Sequence, residues 1–131
     1  MFERGRCTLD IDVRTLMMLD SLEMTEEDKE IIIHSCKRSK TKRIIITHGT
    51  DRIVSTAETL AAANIEGKTI VLTGAMVPYA FGTSSDGFFN LGSALAFVQV
   101  LNPGVYVAMN GRYYNWDEVK KNRKTGYFEE N

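Results

Sequence analysis

The sequence predicts an α/β domain of three layers, α/β/α, built on a mainly parallel sheet. Three observations predict it. Strand-like and helix-like segments alternate three times along the 131 residues. The connections are short, which implies right-handed βαβ crossovers with helices on both faces. The runs Ile44-Ile45-Ile46 and Ile70-Val71-Leu72 are continuously apolar, as strands covered on both faces are.

Each element has its own signal. Residues 8–19 carry Leu9, Ile11 and Val13 in period two, then Leu16-Met17-Met18-Leu19. This predicts a first strand, alternating and then fully buried. Asp20 to Met24 reads as a turn with capping duty, or as the place where Ser21 brings a hydroxyl to the sheet edge. Thr25 before Glu26-Glu27-Asp28 predicts a helix start, with acids at the positive end of the dipole. Lys37-Arg38 suit its other end. Arg43 to Thr47 is the second predicted strand. Ile53, Ala57, Leu60 and Ala61 share one helical stripe, stopped by Asn64 and Gly67. Lys68 to Thr73 is the third strand, and Val77 to Thr83, with Pro78 and Gly82, a loop. Ser85-Asp86-Gly87 opens a helix whose stripe is Leu91, Ala94, Leu95, Val98 and Leu101. Asn102-Pro103-Gly104 breaks it before a fourth strand, Val105 to Met109. A shorter extended or hairpin segment is predicted from Tyr113 to about Phe128.

Composition narrows the function. The length fits one domain. A hydrophobic fraction of 44% and a charged fraction of 25% are ordinary for a globular protein. A net charge of -1 gives no field that recruits nucleic acid or an anionic membrane. The apolar runs fall far short of the roughly 20 residues of a membrane span. The first residues carry no apolar signal core. Cys7 and Cys36 read as free thiols of a reducing cytoplasm. His34 and His48 have no metal-ligand spacing, and no glycine-rich phosphate loop is present, so neither metal nor cofactor is expected.

The chemistry is expected where the two apolar strands end. Thr47-His48-Gly49-Thr50-Asp51 follows one and Thr73-Gly74-Ala75-Met76 the other. In open α/β sheets, ligands bind at the carboxyl ends of strands. Thr50 and Asp51 suit two readings: caps of the next helix, or groups that polarise an amide and orient a water. Gly49 admits a ligand close to the backbone, beside N–H groups that attract a carboxylate. Lys120 to Lys124 is a solvated face, or supplies one partly desolvated lysine as a base. On a strand, Lys120 and Lys121 face opposite sides.

These residues carry a resemblance. Ile46-Thr47-His48-Gly49-Thr50-Asp51, followed by Thr56-Ala57, resembles the second signature of the bacterial L-asparaginases, the Thr-dependent amidohydrolases. Val71 to Met76 with Pro78, and Ser85-Asp86-Gly87 with Asn90-Leu91, resemble the next two segments in the same order. Asp20-Ser21 with Glu23-Met24-Thr25 resembles the serine-bearing turn of the cytoplasmic type, and Val119 with Lys121 the lysine segment. The match runs from about Leu16 to Phe128.

The resemblance implies a Rossmann/flavodoxin-like fold, that of the family's N-terminal domain. It implies that Thr50, Asp51 and Lys121 form a catalytic triad that releases ammonia from the side-chain amide of L-asparagine. Ser21, with N–H groups around Gly49 and Thr50, would hold the substrate α-carboxylate, and Asp51 its α-ammonium. The Thr50 N–H would stabilise the oxyanion, and Ala75 would offer its carbonyl to the leaving nitrogen. The sequence contains no Thr-Gly-Gly-Thr-Ile segment, which in the family carries the primary nucleophile. Residues 1–131 are therefore expected to form one truncated N-terminal domain that starts at the family's second strand. Neither the family's tyrosine-bearing mobile loop nor its C-terminal domain is expected in it. Leu22, Arg52 and Val77 stand where other residues are usual. Activity is accordingly expected to be weak or to need a partner. The alternative is an inactive relative that binds aspartate or asparagine, or a subunit fragment. Uncovered apolar surface predicts self-association as a homodimer.

Overall fold

The structure, a computed structural model, describes residues 2–78 and 84–131. Its centre is a four-stranded sheet in sequence order: β1 (Arg43–Thr47), β2 (Thr69–Thr73), β3 (Gly104–Met109) and β4 (Arg112–Asn115). The first three run parallel, with Ile45 beside Val71 and Val71 beside Tyr106. β4 turns back antiparallel on β3. Asn110 and Gly111, with φ of 58° and 79°, make that turn; positive φ at both central residues is what a two-residue hairpin needs. A separate hairpin follows, β5 (Val119–Lys121) with β6 (Phe128–Glu130).

Three helices cover the sheet: α1 (Glu26–Arg38), α2 (Ile53–Ala62) and α3 (Gly87–Val100). The period-two alternation of the strands sorts the core into two layers. Ile70, Leu72, Val105, Val107 and Met109 pack with α1 and α2 through Ile32, Ile33, Ile53, Ala57 and Leu60. Val71 and Ala108 pack on the other face with Ala94 and Val98 of α3. The three-layer α/β/α prediction holds, and every residue of β2 is buried.

Thr25 caps α1 in a capping box with Asp28. Asp20 caps the 3₁₀ turn Ser21–Glu23, accepting the Leu22 N–H at 3.0 Å. Cys7 and Cys36 are free thiols. Among the described residues, no helix is long and apolar enough to cross a membrane.

The predicted first strand does not form. Residues 8–19 form no regular element, and Met18, expected to be buried, is 91% exposed. Among the described residues, none of their backbone groups takes part in a hydrogen bond. A strand exists only against a neighbouring strand; Met17 packs on the core, but among the described residues no ladder pairs this stretch. Of the predicted Val77–Thr83 loop, residues 79–83, including Gly82, lie outside the described residues.

Candidate active site

The carboxyl ends of β1 and β2 lie side by side, and the ladder continues one step past them: the His48 N–H donates to the Thr73 carbonyl at 2.8 Å. The two following loops are therefore forced together. At Gly74 a Cβ would overlap the His48 carbonyl, with the Thr50 methyl next nearest. Glycine is required there because backbone meets backbone. At Gly49 a Cβ would lie 2.7 Å from both Cβ and Oγ of Ser21. The buried Ser21, 3% exposed, thus sits directly against the loop that carries Thr50.

Neither Thr50 nor Asp51 caps α2. The cap position falls on Arg52, and no side chain bonds there. Capping was one of the two readings open for this pair; the structure gives both side chains other work. Thr50 Oγ1 accepts a hydrogen bond from Lys121 Nζ at 3.0 Å and donates to Met76 Sδ at 3.3 Å. Asp51 Oδ1 accepts from the same Lys121 Nζ, also at 3.0 Å.

Lys121 reaches this point because of strand periodicity. On β5 its side chain turns inward and is 10% exposed. Lys120, one residue earlier, turns outward to Glu129 at 3.8 Å. Arg123 adds a second cation to Asp51, with Nη1 to Oδ1 and Nη2 to the backbone carbonyl, each at 2.8 Å. The hydrogen bond from Lys121, foremost, holds the Asp51 carboxyl below the usual carboxylate range; burial opposes it, and the charges of Lys121 and Arg123 add to the lowering.

The second loop is fixed from α3. The Asp86 carboxylate accepts the N–H groups of Met76 and Val77 at 3.1 and 2.9 Å. Asn90, 1% exposed, donates its amide to the Gly74 carbonyl at 2.8 Å and to Asp86 at 3.1 Å. Ala75 is held between these anchored residues. Burial pushes the Asp86 carboxyl up, but the N–H donors of Val77 and Met76 outweigh it, and the net shift is down. Asp86 occupies the cap position of α3 without a side-chain capping bond; its neighbour Ser85 accepts the Gly87 N–H at 3.0 Å.

His48 stabilises the first loop from below. Its Nδ1 lies 2.7 Å from the Gly49 carbonyl and its Nε2 2.9 Å from Thr56 Oγ1. A carbonyl only accepts, so Nδ1 carries the proton and Nε2 takes the threonine hydroxyl. Burial lowers the His48 pKa, favouring this neutral ring.

The structure thus joins Thr50, Asp51 and Lys121 through hydrogen bonds, places Ser21 against Gly49, and holds Ala75 beside them. Sequence reasoning missed Arg123, which lay unremarked in a basic run, and the bracing roles of Asp86 and Asn90. Nothing in local spacing signals them, because each acts across a loop.

Comparison with known proteins gives the family and the fold. The family model described as "Asparaginase, N-terminal" matches residues 3–128. A glutaminase-asparaginase of Acinetobacter glutaminasificans is 32% identical over 122 residues, covering 84% of this chain and 37% of that protein. An L-asparaginase of Thermococcus kodakarensis is 32% identical over 119 residues, covering 88% of this chain and 36% of that protein. A solved structure of the thermostable L-asparaginase from the same organism superposes with a TM-score of 0.83 at 29% identity, covering 96% of this chain and 40% of that one. The chain spans well under half the length of the relatives it matches. With the family model matching nearly the whole chain and the fold superposing on a solved relative, the chain belongs to the asparaginase family and corresponds to its N-terminal domain.

Proposed function

We propose that this chain acts on L-asparagine or a related amino-acid amide, releasing ammonia, with Thr50 as the reactive hydroxyl, Lys121 as the base and Asp51 as the orienting carboxylate. One observation carries the reading: a single Lys121 amine sits 3.0 Å from both Thr50 Oγ1 and Asp51 Oδ1. In its neutral form that amine accepts the Thr50 proton, while Asp51 keeps it in place. The hydroxyl hydrogen is otherwise spent on a thioether, a weak acceptor that gives it up readily. Ser21, with the Gly49 and Thr50 N–H groups, would take the substrate α-carboxylate. Asp51 would take its α-ammonium, the Thr50 N–H the oxyanion, and the Ala75 carbonyl the leaving nitrogen. The chain would work as a homodimer in the cytoplasm.

Ammonia release from L-asparagine, compared between this chain and Thr50→Ala, tests the reading. The variant is expected to lose at least about 100-fold; equal release from both would refute hydrolysis at Thr50. A second reading, amino-acid binding without turnover, is favoured by Thr50 being engaged on both sides. It predicts heat on titration with aspartate or asparagine together with no ammonia.

A further inference from the structure

We propose that Arg123 is a positioning residue: its guanidinium fixes Asp51 by gripping that residue's carboxylate and its backbone carbonyl together. This inference rests on the function proposed above for Asp51. Arg123 follows β5 in the turn that leads to β6, and the turn is itself braced. The Asn122 N–H donates to the Tyr127 carbonyl at 2.8 Å, and the Gly126 N–H to the Asn122 carbonyl at 2.8 Å. Asn122 Oδ1 accepts from the N–H groups of Lys124 and Thr125. The fork is thus presented from a stiff support.

Its two bonds have different meanings. The bond to Oδ1 is an ion pair, and with Arg123 63% exposed, an ion pair alone contributes little. The bond to the Asp51 carbonyl is not charge against charge. One planar group therefore holds both the main chain and the side-chain end of residue 51, which fixes the rotamer between them. A lysine carries the charge but not the fork. Lys121 and Arg123 both use Oδ1, which reserves Oδ2 for a ligand ammonium.

Charge and position predict opposite outcomes. If Arg123 acted only through charge, its removal would strengthen Asp51's pull on an ammonium ligand, and lysine would serve as well as arginine. If it positions, Arg123→Ala and Arg123→Lys both weaken asparagine. The expected result is a rise in KM of about tenfold in both variants, with a fall in kcat beside it, because a mobile Asp51 also loosens Lys121. In parallel, side-chain couplings measured by NMR are expected to show one Asp51 rotamer in the parent and averaging in both variants. The Asp51 carboxyl is also expected to titrate higher in Arg123→Ala. Tighter asparagine binding in Arg123→Ala, full function in Arg123→Lys, or unchanged couplings would each overturn the proposal. If the parent neither binds nor hydrolyses asparagine, the function reading fails, and the couplings alone decide the role of Arg123.

Discussion

β2 and residues 8–19 are made of the same material and end in different states. Both are rich in Leu, Ile and Val. β2 lies between two strands and two helix layers, and all five of its residues are buried. The earlier stretch has Leu9, Val13, Leu16, Met18 and Leu19 exposed and remains without strand pairing. Apolar patterning states what a segment will do if a neighbour exists; it does not supply the neighbour. The hydrogen-bonding groups of an extended chain are satisfied only across a ladder or by water.

Three experiments break or sharpen this contrast. The largest effect is expected at Leu72, which is wholly buried. Leu72→Ala should cost about 2–5 kcal/mol in denaturant unfolding, whereas Met18→Ala should cost no more than about 0.5 kcal/mol. Equal losses would mean that residues 8–19 are packed after all. A smaller effect is expected where the unpaired stretch gives way to packed structure. Thr25→Ala removes one half of a capping box and should cost about 1 kcal/mol; a negligible loss would show that α1 is held by packing alone. The smallest effect on stability, but a visible one on assembly, is expected from Val13→Ser with Met18→Ser. These residues are 71% and 91% exposed, so the double variant should unfold like the parent yet sediment as a monomer, the proposed self-association predicting a dimer for the parent. A parent that is monomeric would remove the proposed self-association.

The contrast also explains what was legible. β1 and β2 were readable almost to the residue because each is a short apolar run that the fold covers on both faces. α1 was readable because its cap is local: Thr25 and Asp28 satisfy each other three residues apart. Asn110-Gly111 is an equally local signal, and it starts β4 at Arg112, one residue before the predicted Tyr113. The site was legible only in part. Thr50, Asp51 and Lys121 came from motif likeness, and their meeting depends on a contact seventy residues apart in sequence. Asp86 and Asn90 belong to that likeness too, but their bracing roles and that of Arg123 could not be read, because an exposed arginine and a helix-start aspartate look the same whether they face solvent or brace a loop.

Lys121 meets Thr50 through a strand of only three residues, in which the neighbour Lys120 faces the opposite way. A deletion of one residue at Asp117 or Glu118 would therefore turn Lys121 to the outer face and put Asn122 in its place. Composition and charge would barely change, and the hairpin could still close, but the amine beside the threonine would then project into bulk water. Length at that point is under tighter constraint than residue type, so engineering of this segment should preserve spacing before it preserves sequence.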